Sequence, residues 1–378
     1  MLGTMGGYLS VLAGVVWLIT LLLPWQPWRN REVLEAETDF SDFDLHDVTV
    51  LIPARNEAEV IAGTLQSLKQ QGRGLQVVLV DDDSNDETVN IARTTGLENL
   101  TIIESKSLPP GWTGKLWAQE QGLKVVKTPL LLLLDADIAL KPGMLKALKQ
   151  KQQKNSLQFV SLMAVLRFQS FWEKLLMPAF IYFFKMIYPF ALANNPKSKM
   201  AAAAGGCIFL ETAVLKDIGG MAVIKDAVID DCTLAKTIKS KGYKIWVGLT
   251  HGVISQRPYV GLSEIWQMVA RTAYTQLHYS RILLLLCTMI MLLMYWWPLM
   301  AVFWVETPIE LFINGLSLSI MISLYLPTLF FYRLSPLWAL TMPIVAALYL
   351  MMTWTSAIRY WRGERSRWKG RRYLTGQN

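Results

Sequence analysis

The chain has 378 residues, 53% apolar and only 17% charged, against about 25% charged in ordinary soluble domains, which excludes a disordered chain and argues against a wholly soluble globule. Its formal net charge is +8, but Arg359 to the last residue holds six Arg, one Lys and one Glu, leaving +2 for everything before them. A basic balance confined to a tail is not a nucleic-acid-binding face, so no nucleic-acid partner is expected.

Residues 1–28 carry no charge, and Tyr8 to Trp25 is apolar enough to cross a bilayer. A signal peptide needs a basic n-region and a small-residue cleavage site, and the stretch has neither. Trp25 and Trp28 followed by Arg29 and Arg31 read as an aromatic belt with positive charge on the inner side. Residues 1–28 are therefore predicted to be an uncleaved transmembrane anchor.

From residue 45 to residue 165 strands and helices alternate. Val48–Ile52, Gln76–Val80, Leu100–Ile103 and Leu130–Leu134 are predicted strands. Glu57–Gln70 carries Val60, Ile61, Leu65 and Leu68 at helical spacing, and a further helix runs through Val89 and Ile91. Near-continuous apolar strands separated by helices predict a mostly parallel, doubly wound α/β sheet covered on both faces. Phe171–Phe190 is dominated by aromatic and aliphatic residues, with Lys174 and Lys185 as its cations. It reads equally as an interfacial helix or a core helix.

Between Ile282 and Ile358 the charged residues are Glu306, Glu310 and Arg333. They leave uncharged runs of 24 residues (282–305), 22 (311–332) and 25 (334–358), each long enough to span. The organisation is then an anchor (1–28), a catalytic domain (45–280, with 171–190 as the helix in question), a transmembrane region (282–358) and a basic tail (359–378). A cytoplasmic domain followed by three crossings puts the Arg-rich tail outside, against the positive-inside tendency. One run is therefore re-entrant or interfacial, or the tendency is broken.

In an open parallel sheet, ligands bind beyond the carboxyl ends of the strands. Here those ends carry Pro53-Ala54-Arg55-Asn56-Glu57, Asp81-Asp82-Asp83 and Asp135-Ala136-Asp137. So many carboxylates at one edge repel one another unless a cation or a donor-rich ligand joins them. Asp135 and Asp137 flank a small residue and suit Mg²⁺ or Mn²⁺ completed by substrate phosphates, or else serve as an N-cap and turn. Asp81 and Asp82 exceed what capping needs and can accept hydrogen bonds from a base or ribose. Lys115 follows a stiff Pro109-Pro110-Gly111 loop and opens a helix expected over Leu116–Val126. It is either a phosphate partner or an ordinary solvated lysine. Gly205-Gly206 permits close backbone approach. In Asp230-Asp231 one acid is explained as a cap, and the second is a candidate base. Cys207, Cys232 and Cys287 offer no disulfide framework, and His46, His251 and His278 are too scattered for a metal-ligand pair.

Together these segments resemble family 2 glycosyltransferases of the GT-A fold, in order from Val50-Leu-Ile-Pro-Ala-Arg-Asn-Glu57 through Val80-Asp-Asp-Asp-Ser-Asn-Asp86, Asp135-Ala-Asp137 and Gly205-Gly206 to Asp230-Asp-Cys-Thr-Leu-Ala235. The Leu108–Ala118 stretch, the anchored ends and the Trp361–Tyr373 tail are most similar to hopene-associated membrane glycosyltransferases of bacteria, kin to ceramide glucosyltransferases. The resemblance implies a nucleotide-sugar donor, with UDP preferred, and a lipid acceptor, a hopanoid or else a ceramide, carotenoid or polyprenyl lipid. It also implies a divalent metal and a cytoplasm-facing domain on the bacterial inner membrane. By the same resemblance Pro53, Ala54, Arg55 and Glu57 line the nucleotide pocket, and Asp81 and Asp82 contact base and ribose. Lys115 faces the sugar or diphosphate, Asp135 the ribose or sugar, and Asp137 holds the metal. Asp231 is the catalytic base beside Asp230, and Gly205, Gly206 and Arg271 lie on the acceptor side. The family's Gln-x-x-Arg-Trp motif is broken around Arg271, because Met268 and Thr272 stand at its Gln and Trp positions. That departure counts against a polysaccharide synthase.

Overall fold

The computed structural model describes residues 5–40, 42–304, 307–369 and 371–374. Glu306, with parts of the expected anchor and of the basic tail, lies outside the described residues. In chain order the elements are α1 (Met5–Leu22), β1 (Val48–Ala54), α2 (Ile61–Lys69), β2 (Gln76–Asp81), α3 (Thr88–Thr94), β3 (Leu100–Glu104), α4 (Gly114–Leu123), β4 (Leu130–Leu134) and β5 (Ile138–Leu140). There follow α5 (Met144–Asn155), β6 (Phe159–Val165), α6 (Phe171–Ile187), α7 (Phe190–Ala193), β7 (Cys207–Glu211), α8 (Thr212–Asp217), α9 (Asp230–Ser240) and β8 (Ile245–Ser255). The last third holds α10 (Leu262–Ala270), α11 (Ala273–Gln276), α12 (Arg281–Met291), α13 (Trp297–Ala301), α14 (Pro308–Phe331) and α15 (Met342–Trp361), then β9 (Glu364–Trp368) and β10 (Arg371–Leu374). Two compact units result: an α/β unit of Glu32–Arg167, Phe190–Pro258 and Arg367–Asn378, and a helical unit of Met1–Arg31, Phe168–Pro189 and Tyr259–Ser366.

The α/β unit is built on an eight-stranded sheet of order β3-β2-β1-β4-β7-β6-β8-β5. Strands β3, β2, β1 and β4 are parallel, as their apolar runs predict, whereas β7 enters antiparallel to both β4 and β6 and makes the sheet mixed. Both faces are covered. Leu130, Leu132 and Leu134 join one core cluster with Val50 and Ile52, while Leu131 and Leu133 join the other with Leu51, Leu116 and Phe209's neighbour Ile208. A strand with period-two side chains buried on both faces has no position left for a polar residue, which explains the five consecutive leucines.

Two local expectations change. Pro53 and Ala54 belong to β1 rather than to a loop. Pro53 is tolerated because the β1–β4 ladder has ended at Leu51↔Leu133. Helix α2 begins at Ile61 rather than Glu57, because the Glu57 carbonyl accepts the Val60 and Ile61 N–H groups in a turn at 3.0 and 2.9 Å.

In the helical unit, four segments among the described residues are long and apolar enough to cross a membrane: Met5–Leu22, Arg281–Ala301, Pro308–Phe331 and Pro336–Trp361. Their contacts set their directions. Ser10 of α1 accepts from Trp297 and from Asn314, both at 3.0 Å, and Trp17 Nε1 donates to the Met294 carbonyl at 2.8 Å. That carbonyl is free because Pro298, four residues on, has no N–H, and a π-helical turn over Leu292–Trp296 takes up the mismatch. Asn30 donates to the Pro327 carbonyl at 2.7 Å. So α1 and α14 run the same way, α12–α13 runs against them, and Arg281 and Phe331 share one end of the bundle.

Helix α15 packs against α12, where the Trp354 indole N–H donates to Thr288 Oγ1 at 3.0 Å. Trp361 lies under the Arg281 guanidinium, and Tyr360 stacks on Tyr279 at 4.2 Å. Helix α6 lies along it, with Phe171 against Trp338 and the Leu176 carbonyl accepting from the Tyr349 hydroxyl at 2.8 Å. The helix of the expected 171–190 segment ends at Ile187. Its Lys185 is buried and donates to Arg29 O at 2.8 Å and to Asn30 Oδ1, while Phe171 and Ile187 are exposed.

Candidate active site

The strand ends converge as the parallel ladders require. Ala54 is level with Asp81 across β1–β2. Antiparallel pairing of Leu134 with Cys207 sets Gly206 beside Asp135, whose N–H donates to the Gly206 carbonyl at 3.1 Å. At the end of β8, Gln256 N–H donates to the Asp137 carbonyl at 2.8 Å, which brings Arg257 to the same edge.

Asn56 (φ 51°) and Asp83 (φ 60°) stand in left-handed backbone, where Asn and Asp are the best-tolerated residues after glycine. Side chains interlock their two loops. Ser84 Oγ accepts from Asn56 N, Asn56 Oδ1 from Asn85 N, Asp86 Oδ2 from Ala58 N and Thr88 Oγ1 from Glu57 N. Arg55 joins the two turns by donating to the carbonyls of Asp82 and Asp83. Ser84 to Asp86 are thus bracing residues.

Asp81 stands apart from them. It is buried, its Oδ2 accepts from Ser84 N at 3.3 Å, and its Oδ1 is a buried oxygen with no protein donor among the described residues. A buried acceptor without a donor costs about 1–3 kcal/mol unless a ligand or water supplies one.

A second group surrounds Lys115. Its ammonium lies 2.8 Å from Asp135 Oδ1 and 3.3 Å from Asp230 Oδ2. Burial alone pushes such a lysine down, but the two carboxylates outweigh it and hold the charge firmly. Burial pushes Asp135 up, with Lys115 opposing and Asp137 adding to the rise. Asp231 is raised to about 7, first by burial and then by the charge of Asp230, although Cys232 N–H donates to its Oδ1 at 2.7 Å. Lys115, Gly205, Asp230 and Asp231 line an open cleft of about 220 Å³. A side chain at Gly205 would start 3.3 Å from Asp231 Oδ2 and 3.4 Å from Lys115 Nζ, so glycine there leaves the two groups clear.

No group of three or more His, Cys, Asp and Glu side chains forms a ready metal cage among the described residues. Asp137 shares its Oδ2 with Arg257 Nε at 2.8 Å, and Asp135 shares its Oδ1 with Lys115. Each keeps a second carboxylate oxygen. Two carboxylates plus substrate phosphates are what Mg²⁺ or Mn²⁺ takes in such sites, so the donor set fits a metal that arrives with its substrate.

Along the first half of the chain, residues 49–219 match the family model "Glycosyl transferase family 2". This stretch, a little under half of the chain, is similar to family 2 glycosyltransferase domains. The chain is similar in fold to a mannosyltransferase from Pyrobaculum calidifontis solved with GDP-Man and Mn²⁺, over 93% of this chain and 98% of that one with a TM-score of 0.54 at 17% identity. The shared fold is GT-A. The chain is also 31% identical over 124 residues to the 4,4'-diaponeurosporenoate glycosyltransferase of Staphylococcus haemolyticus, and 32% over 111 residues to that of Staphylococcus aureus. These matches cover 32% and 29% of this chain and 32% and 28% of the relatives, so the chain spans about a third of the length of the curated relatives it matches.

The expected residues fall into three places. Asp81, Asp82, Lys115, Asp135, Asp137, Gly205, Gly206, Asp230 and Asp231 stand at the sheet edge of the α/β unit. Ala54 is fully buried in β1, and Glu57 is engaged by Arg257 and by Lys369, each at 2.8 Å. Arg271 belongs to the helical unit, exposed at the end of α10. Reasoning from sequence missed Arg257, which pairs with both Glu57 and Asp137; it stands two residues past β8, a strand interrupted by Gly, Thr and His that gave no apolar signal. It also missed Lys369, Arg371 and Tyr373, which were read only as part of a charged tail.

Proposed function

We propose that the protein is a membrane-bound inverting glycosyltransferase that moves a sugar from a nucleotide-sugar to the hydroxyl of a lipid. One observation carries the reading: a single sheet edge presents a buried acceptor lacking a donor (Asp81), a fixed cation (Lys115) and a carboxylate raised to about 7 (Asp231). Asp81 Oδ1 accepts an N–H of the base, and Asp82 stands beside it for the ribose. Asp137 with Asp135 would hold Mn²⁺ or Mg²⁺, which would supply positive charge to the leaving diphosphate. Lys115 adds a second cation and holds Asp135 and Asp230 in place. Asp231, in its carboxylate form, accepts the proton of the acceptor hydroxyl while that oxygen bonds to the anomeric carbon. The bond from that carbon to the diphosphate breaks on the opposite face, so one displacement inverts the centre.

Among acceptors, an extended apolar molecule of the carotenoid kind is supported by the names of the staphylococcal relatives. A hopanoid acceptor rests on sequence resemblance alone. Residence in the bacterial cytoplasmic membrane, with the domain inside, belongs to the same proposal. It is supported by the four apolar segments of spanning length and by Arg29 and Arg31 directly after the first of them.

The test is nucleoside diphosphate release by detergent-solubilised protein given UDP- and GDP-sugars, Mn²⁺ or Mg²⁺ and lipid extract, beside Asp137→Asn and Asp231→Asn. Lipid-dependent release that falls at least about 100-fold in both variants is expected. Equal behaviour of wild type and variants across the panel would overturn the reading.

A further inference from the structure

The C-terminal ribbon β9–β10 is not a free basic tail. Arg371 Nη1 donates to Asp82 Oδ2 across 289 positions of sequence, onto a residue only 1% exposed. Lys369 Nζ lies 2.8 Å from Glu57 Oε1 and 3.1 Å from the Asn56 carbonyl. Tyr373 Oη accepts the Gly114 N–H at 2.9 Å, at the first turn of α4. Lys369 in the turn and Arg371 and Tyr373 of β10 thus meet the β1 loop, the β2 end and the helix that carries Lys115.

We propose that this ribbon completes the donor site, with Lys369 and Arg371 serving as diphosphate-binding cations and Tyr373 as the positioning residue that seats them. The inference rests on the glycosyltransferase reading above. Its physical ground is charge. The strand ends bring Glu57, Asp82, Asp135 and Asp137 to one edge, and a nucleotide-sugar arrives with a diphosphate of the same sign. Arg257 is already shared between Glu57 and Asp137, and Lys115 between Asp135 and Asp230. Arg371 is the cation that reaches the Asp82 carboxylate. Neither tail cation is sealed in: the Lys369 and Arg371 side chains are 20% and 22% exposed. A guanidinium has five N–H donors and an ammonium three, so each anchors to a loop carboxylate and has donors left for phosphate oxygens.

The test compares full-length wild type with Arg371→Ala, Arg371→Lys, Lys369→Ala and Asp137→Asn. Titration calorimetry with UDP and GDP in Mn²⁺ would be run against the matching nucleosides, with donor KM and kcat measured in parallel. Arg371→Ala and Lys369→Ala are expected to weaken diphosphate binding by about tenfold to a hundredfold and raise donor KM with it. Nucleoside affinity should stay within about twofold, and Arg371→Lys should recover most of the loss. Unchanged diphosphate affinity in both alanine variants, with Asp137→Asn impaired, would overturn this inference and leave the glycosyltransferase reading standing. Tighter binding in the variants would overturn it in favour of a ribbon that excludes donor. An equal loss of nucleoside and diphosphate affinity would reduce the ribbon to a structural brace. If wild type bound no nucleoside diphosphate at all, the glycosyltransferase reading would fail and take this one with it.

Discussion

Replacing the proposed base should make the protein inactive and more stable at the same time, in a pH-dependent way. Asp231 is raised from 3.8 to about 7 because folding buries its carboxylate beside Asp230. The folded state therefore holds the Asp231 proton to higher pH than the unfolded chain does. Stability from this group is fully present below pH 3.8 and is lost as pH rises through about 7. A rise of about three pH units at about 1.36 kcal/mol each gives a loss near 4 kcal/mol once both states are ionised. Asp231 is only partly enclosed, so about 2–4 kcal/mol is the working range. Asn has the same shape and no proton to lose. Asp231→Asn should therefore unfold like wild type at pH 4, and about 4–8 °C higher at pH 8.5 by intrinsic-fluorescence melting in detergent. A variant that melts at or below wild type at pH 8.5, or whose gain persists at pH 4, refutes the buried-carboxylate account of this site.

The same titration governs rate. Nucleotide release per enzyme should climb about tenfold per pH unit below 7 and flatten above it, because only the Asp231 carboxylate accepts the acceptor proton; a rate that falls across this range would remove Asp231 as the base. Gly122→Ala tests how tightly α4, the helix that carries Lys115, sits on the sheet. The added carbon would lie 2.2 Å from Leu51 Cδ1 and 2.9 Å from Val80 Cγ2, so a loss of about 1–3 kcal/mol in denaturant midpoint is expected. An unchanged midpoint would mean that α4 is free to shift.

Much of the site is legible in the linear order because strand ends in a parallel sheet are neighbours by construction. Asp81 and Asp135 each follow an apolar run directly, with Asp137 two residues on, and β1, β2 and β4 pair in the register that brings the strand ends level. Roles within the loops are less legible. Asp81, Asp83 and Asp86 look alike as residues, yet Asp86 braces a turn and Asp83 meets Arg55, while Asp81 has a buried oxygen without a donor. Glu57 reads as a ligand contact, but the folded chain gives it two cations.

What the sequence by itself determined is what local pattern and strand polarity dictate: the covered α/β sheet, the acidic edge, the order of the motifs and the four apolar segments of spanning length. Tertiary structure alone decided three things. Strand β7 runs antiparallel, which puts Gly205–Gly206 beside Asp135 and opposite Asp231. Helix α15 pairs with α12, Trp354 meeting Thr288 and Trp361 meeting Arg281, a choice of neighbour that hydropathy does not encode. Lys369 and Arg371 reach Glu57 and Asp82 from about 300 residues away. Charge acts through distance in space, and closing a long loop costs only slowly more entropy as it lengthens, so partners this remote leave no trace in local sequence.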